Sequence, residues 1–438
     1  MNAYQRVMGA GLKALNRWAG SPLIDRLGLR KASERAVYHA SRTGFRTAGT
    51  VGRSFVAAQK LLKPARPARA KSGDLFDLTP TDEQQALREA VLNFALNELR
   101  PVAAQADHDC AAPAALLQQS AELGLTLMNV PEELGGAGNE RNAVTNALVT
   151  EALAQGDMGL AYAVLAPSAV SNALVLWGDE QQQAKYLPAF VGDRQPAAAF
   201  AMLEPCALFN PFELATTARR SGEHYVLSGV KSLVARAAQA ELFIVAAAIE
   251  GAGPALFIVE SKTPGIGIEA EPAMGLRAAA TGRVILGDVK VPVSALLAGG
   301  ATEIYEECVQ LSRAGWCALA VGTAQATLDY VTQYTRERMA FGEPIAHRQS
   351  VAFAVANMAI ELEGMRLLTW RAASRADEGK LFSREAALAR RACADRGMVI
   401  GSDGVQLLGG HGFVKDHPVE RWYRDLRAAG VMEGGVLL

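Results

Sequence analysis

Cysteine is scarce and unpaired in this sequence: Cys110, Cys206, Cys308, Cys317 and Cys393 stand far apart, with no CxxC. That spacing speaks against a disulfide framework and for reduced thiols in a cytosolic-type compartment. Histidine is equally thin. The six residues are scattered, and His411 with His417 makes no standard zinc spacing, so no metal site is expected. The longest unbroken apolar run, Leu242 to Ile249, falls well short of the roughly 18 residues of a membrane span. No apolar core followed by a small-residue cleavage site opens the chain, so no secretory signal is expected. Aromatic residues make up only 6%, half the residues are hydrophobic and a fifth are charged, a helix-leaning globular composition. A chain of 438 residues is long for one core, and two or three packed domains are expected.

Acidic residues are nearly missing from one stretch. Residues 1–72 hold 15 Lys or Arg against Asp25 and Glu34 alone, a net of +13, and the remainder carries −14. Val7, Met8, Leu12, Leu15 and Trp18 can share one helical face, and Arg35, Arg42, Arg46, Arg53 and Lys60 can form a basic stripe. Lys63 to Lys71, with two prolines, reads as an extended linker. Residues 1–72 are thus a basic amphipathic extension and linker. Three readings stay open for it: docking on an anionic membrane surface, packing on the acidic body, or an organelle-targeting presequence. Nothing else in the chain supports nucleic-acid binding. The expected location is cytoplasmic, with peripheral contact on the inner face of the membrane.

Beyond the linker the hydrophobic period changes twice. Residues 73–198 read as helices: Thr81 with Gln84 is a capping-box signature, and Leu87, Val91 and Phe94 follow at helical spacing until Pro101. Residues 199–300 carry short β-branched or aromatic runs divided by Gly and Pro, near Tyr225, Glu241, Ala255 and Val284. Residues 301–438 return to helices, with one apolar stripe through Leu311, Ala314, Ala318 and Val321 and another through Val355, Met358, Leu362 and Met365. The expected fold is α+β: a helical N-terminal domain, a small β-barrel-like middle domain and a C-terminal four-helix bundle.

Several motifs then stand in order. They are Val130 to Gly136 (VPEELGG), Trp177 to Gln181 with Tyr186-Leu187-Pro188, and Arg336 to Ile345 (RERMAFGEPI) followed by Gln349. Gln406 to Phe413 (QLLGGHGF), Pro418 to Arg421, Arg424-Asp425 and Met432 to Gly435 (MEGG) complete the set. This succession resembles the acyl-CoA dehydrogenase family over residues of about 78 to 438. The resemblance implies an FAD-dependent enzyme that removes two hydrogens across Cα–Cβ of an acyl-CoA, as in fatty-acid β-oxidation or related acyl catabolism. It implies an electron-transfer flavoprotein as acceptor and a homodimer or homotetramer.

The same resemblance implies the roles of individual residues. Glu433 falls where the family has its α-proton base, nine residues after Arg424. Gly434 and Arg313 fall beside substrate, although a salt bridge within the bundle is an equal reading of Arg313. Some relatives place the base just before that arginine, and Ser312 leaves the position without a carboxylate. Arg338, Phe341, Gln349, Gln406, Gly409, Gly410 and Gly435 fall at the cofactor positions, most of them contributed by a neighbouring subunit. The middle domain departs from the pattern. Leu203, Phe209, Leu233 and Ala235 replace hydroxyls and a Trp that the family places around the flavin, which weakens its hold on FAD. That departure supports an alternative, a catalytically weak acyl-CoA-binding relative used for partner or membrane docking.

Overall fold

The computed structural model describes residues 80–131, 134–136, 142–192 and 194–438. The basic extension at 1–72 lies outside the described residues, as do Glu132 and Glu133 of the VPEELGG motif.

Helix α1 (Asp82–Phe94) starts at the capping box expected from Thr81 and Gln84, each side chain serving the other's backbone N–H. The expected stop at Pro101 is wrong. A π-turn at Ala95–Leu99 carries the chain directly into α2 (Arg100–Asp109), where proline stands in the first turn and its missing N–H costs no helical bond. Helices α3 (Ala114–Glu122), α4 (Ala143–Gly156), α5 (Met158–Trp177) and α6 (Glu180–Phe190) complete the N-terminal block. Asp179 and Gln182 form a second capping box at α6.

Helix α5 corrects the apolar-run reading. Its 20 residues carry no charge and are long and apolar enough to cross a membrane, yet nearly all are buried within the protein. Ser, Asn and Gly interrupt the run in sequence, which hides a helix that is apolar on every face.

Seven strands follow: β1 (Ala198–Ala201), β2 (Thr217–Ser221), β3 (His224–Val234), β4 (Leu242–Ile249), β5 (Gly253–Glu260), β6 (Ile266–Ala270) and β7 (Gly282–Pro292). They form one sheet in the order β1-β4-β2-β3-β7-β6, with β5 on the other side of β4. β1 and β2 are both parallel to β4, at opposite ends of it; the remaining pairs are antiparallel. β1, β2 and β6 are too short, or too polar in the case of β2, to be read from the alternation pattern.

Helix α7 (Thr302–Glu337) then runs unbroken for 36 residues. A hairpin, β8 (Met339–Ala340) and β9 (Glu343–Pro344), leads to α8 (Gln349–Asp377) and α9 (Ser383–Leu407). Two short helices, α10 (Val419–Leu426) and α11 (Ala428–Val431), end at the terminal turn. Only three long helices lie within 301–438, and α4 of the N-terminal block packs along α7 and α8 as the fourth member of the bundle.

Carboxylates and arginines tie these blocks together. Asp107 accepts from both Arg424 Nη atoms at 2.9 and 3.0 Å, and Arg421 donates to Asp157 at 2.8 Å. Asp425 accepts the Leu276 N–H at 2.6 Å. Burial pushes the Asp425 carboxyl well above its ordinary value, and the Asp157 charge adds to the rise. A raised folded value means that the native state holds this proton more tightly than the unfolded chain. The Asp425 contribution is therefore largest at acid pH and is lost as pH climbs from about 4 through the elevated value. Asp425→Asn keeps the Oδ1 acceptor for Leu276 without the charge. Its thermal midpoint should decline less than that of the parent as pH is raised from about 4, and equal declines would assign the pH dependence elsewhere.

Candidate active site

The terminal turn is shaped by what surrounds it. Gly434 and Gly435 take φ of +71° and +83°, where L side chains are strained. A Cβ at Gly434 would lie 2.6 Å from Met202 Cβ, and one at Gly435 would lie 2.5 Å from the Tyr162 hydroxyl oxygen. Trp316 Nε1 donates to the Gly434 carbonyl at 2.6 Å, and Asn172 Nδ2 donates to the Leu437 carbonyl at 3.2 Å. The turn is fixed from α5, β1 and α7 together.

Glu433 is only 4% exposed within this turn. From α7, Arg313 Nε lies 3.0 Å from both carboxylate oxygens, and Nη2 donates to Oε1 at 2.7 Å. From α9, Arg390 Nη2 lies 3.0 Å from Oε1, and Nη1 donates to the Met432 carbonyl at 2.9 Å. Oε1 therefore faces three donor atoms and Oε2 one. Arg313 therefore makes an ion pair, and its partner is Glu433 of the terminal turn. Ser312 is buried, and its hydroxyl has no partner among the described residues. Sequence reasoning missed Arg390. It sits in an Arg390-Arg391 pair of which the second member pairs with Asp395 on the surface, and nothing in the sequence distinguishes the two.

The face opposite the turn is apolar. Leu203, Leu233 and Ala235 belong to one cluster with Tyr162, Trp316, Met432 and Val436. The Leu233 N–H is taken by Glu271 at 2.7 Å, and its carbonyl accepts the Tyr162 hydroxyl at 3.2 Å. The bulky Tyr162–Trp316 pair, with ring centroids 4.9 Å apart, occupies the space beside Gly434 and Gly435.

The remaining expected residues gather elsewhere. Arg338 caps the C-terminus of α7, Phe341 is 95% exposed with φ +56°, and Gln349 opens α8. Gln406, Gly409 and Gly410 are exposed at the end of α9, and a Cβ at either glycine would meet nothing within 4 Å. Arg313 on α7 and Arg338 just past its end lie 25 positions apart, about 37 Å at the helical rise, so the two sets are well separated within one copy. Exposed guanidinium and carboxamide groups beside an open glycine loop fit the diphosphate and adenosine end of a flavin dinucleotide. The apolar face at Leu203, Leu233 and Ala235 offers no side-chain donors for the ring end.

Comparison with known proteins agrees with this layout. Residues 81–193, 199–289 and 299–435 match, in order, the families described as acyl-CoA dehydrogenase N-terminal, middle and C-terminal domains. The chain is 37% identical over 366 residues to the mitochondrial short-chain specific acyl-CoA dehydrogenase of Bos taurus, covering 81% of this chain and 87% of that protein. Among solved structures it is similar to butyryl-CoA dehydrogenase from Megasphaera elsdenii, with a TM-score of 0.76, 30% identity, and coverage of 82% and 96%. It is also similar to a chain in the structure of the electron transferring flavoprotein of Acidaminococcus fermentans, with a TM-score of 0.75, 30% identity, and coverage of 82% and 96%.

A second buried pair supports the apolar face from below. Lys231 Nζ donates to Glu204 Oε1 at 2.8 Å and to the Met202 carbonyl at 3.1 Å, and both side chains are withdrawn from solvent. Glu204 also accepts the Ala215 and Thr216 N–H groups at 2.7 and 2.9 Å. Burial brings the Lys231 ammonium down to about 8, against the opposing pull of Glu204. Lys231→Met leaves a buried carboxylate without its cation and should cost about 3–5 kcal/mol in denaturant unfolding. A loss below about 1 kcal/mol would mean that the two backbone N–H groups suffice.

Proposed function

Because the chain belongs to the acyl-CoA dehydrogenase family, whose members are FAD-dependent oxidoreductases acting on acyl-CoA, we propose that Glu433 removes the substrate α-proton. The observation that carries this reading is a buried carboxylate that meets three guanidinium donor atoms at Oε1 and only one at Oε2. Oε1 is committed to Arg313 and Arg390, so Oε2 is the atom that accepts the proton. The arginines fix the plane of the carboxylate within the buried turn. Bound FAD supplies the acceptor for the β-hydride, which no side chain can provide.

The proposed substrate is an acyl-CoA thioester of fatty-acid or related acyl catabolism, a reading supported by the short-chain and butyryl-CoA relatives. Electron transferring flavoprotein is the proposed electron acceptor, supported by likeness to a chain solved with it. The proposed assembly is a homodimer or homotetramer. The 37 Å span of α7 supports it, as do Phe341, Phe353, Ile360, Leu388 and Phe413, large apolar side chains exposed along the bundle. Through the +13 charge of residues 1–72 we further propose peripheral contact with an anionic membrane face.

The second reading, an acyl-CoA-binding relative of low activity, is favoured by the Tyr162–Trp316 pair packed against the terminal turn. Glu433→Gln separates the two. It is isosteric but cannot take the proton, and it should slow anaerobic bleaching of bound flavin by acyl-CoA by at least about 100-fold. Bleaching within ten-fold of the parent would move the base elsewhere, and a parent protein that never bleaches would favour the low-activity relative.

A further inference from the structure

A small cavity of 20 Å³ lies behind the terminal turn, between α4 and α5. Its apolar wall is Leu125, Met128, Val149 and Leu165, and Val436 and Leu437 close the side toward Glu433. Its other lining is polar: Asn129, Asn146, Thr150, Ser168 and Asn172. Asn129 and Asn146 satisfy each other at 3.1 Å. Ser168 and Asn172 do not. Ser168 is 6% exposed and Asn172 4% exposed, and neither Ser168 Oγ nor Asn172 Oδ1 has a hydrogen-bond partner among the described residues. One turn apart on α5, both residues line the same cavity. Asn172 donates one amide hydrogen to the Leu437 carbonyl, which orients Oδ1 as an acceptor without a partner among the described residues.

Two orphaned polar atoms in one apolar-walled space are costly unless something completes them. Resting on the proposed dehydrogenase reading, we propose that this cavity is the floor of the acyl site and selects acyl groups bearing a hydrogen-bond donor, such as a hydroxyl, over plain alkyl chains. The track from Glu433 to the floor follows the chain itself. Val436 lies three residues beyond the base, at most about 11 Å of extended backbone, so an acyl group of modest length spans it. Val436 and Leu437 line that track on the side of the terminal turn. A donor on the acyl group gives its hydrogen to Asn172 Oδ1, and its oxygen accepts the Ser168 hydroxyl. A plain alkyl end leaves both atoms orphaned, and the energetic gap between the two ligands is the selectivity.

The test uses unreactive CoA thioethers, so that binding is read without turnover. Pairs carrying S-alkyl groups of about four to eight carbons, one plain and one with a terminal hydroxyl, are titrated calorimetrically into the full chain, since these lengths bracket the track. The hydroxylated member of at least one pair should bind ten-fold or more tightly. Ser168→Ala, which removes an orphan hydroxyl and should fold normally, should bring that ratio to within about three-fold, as should Asn172→Leu. Equal binding of the two members by the parent would overturn the proposal and leave the dehydrogenase reading standing. So would a preference that survives both substitutions, since the cavity would then hold a single structural water, for which 20 Å³ suffices. Binding of neither thioether would overturn the acyl-CoA reading and the proposal with it.

Discussion

A carboxylate withdrawn from water and held by cations from two different helices constrains the rest of this molecule. Glu433 is tolerable in its position only because Arg313 of α7 and Arg390 of α9 meet there, and they meet only if the bundle packs in register. The requirement passes outward. The terminal turn must present Glu433 between the two guanidinium groups, which forces positive φ at Gly434 and Gly435 and draws Met202 and Tyr162 against them. The same logic recurs at Lys231–Glu204, Arg421–Asp157 and Arg366–Glu151, each joining segments far apart in sequence. Buried pairs of this kind add little net stability over apolar packing, but a single missing partner is expensive, so they specify one arrangement.

Much of this was legible in the chain. The capping boxes at Thr81 and Asp179, the stripes of α7 and α8, and the change to a β-rich middle could be read from period and end signals. These are local properties, and local physics decides them. Resemblance of the C-terminal motifs pointed to Glu433 and placed Arg313 nearby, without naming Glu433 as its ion-pair partner. It also separated the residues near the base from those at the far end of α7, a division that the length of that helix makes unavoidable.

What could not be read depended on partners brought in from elsewhere. Arg390 is one arginine among many until α9 packs on α7. The replacement of hydroxyls by Leu203, Leu233 and Ala235 was visible as a loss of donors. That these residues gather with Tyr162 and Trp316 into a continuous apolar cluster was not, because the aromatic pair comes from two helices about 150 residues apart. Pro101 misled for a related reason. Proline inside a helical pattern marks a stop only when no π-turn upstream absorbs the fault, and that choice is made by packing against α4. The orphaned atoms at Ser168 and Asn172 are equally invisible in a helix whose every other signal is apolar.

Helix α5 carries a consequence for how the protein is made. It is long and apolar enough to enter a bilayer, and in the folded protein it is covered in part by α7, which begins 125 residues further along the chain (302 − 177). At synthesis rates of about 5–20 residues per second, α5 leaves the ribosome some 6–25 seconds before that cover exists. During this interval the nascent chain presents a segment that membrane-insertion machinery and holdase chaperones recognise by hydrophobicity alone. Early docking of α4 and α2 on the emerging helix competes with capture by lipid, and the uncharged core that stabilises the finished enzyme is exposed before completion.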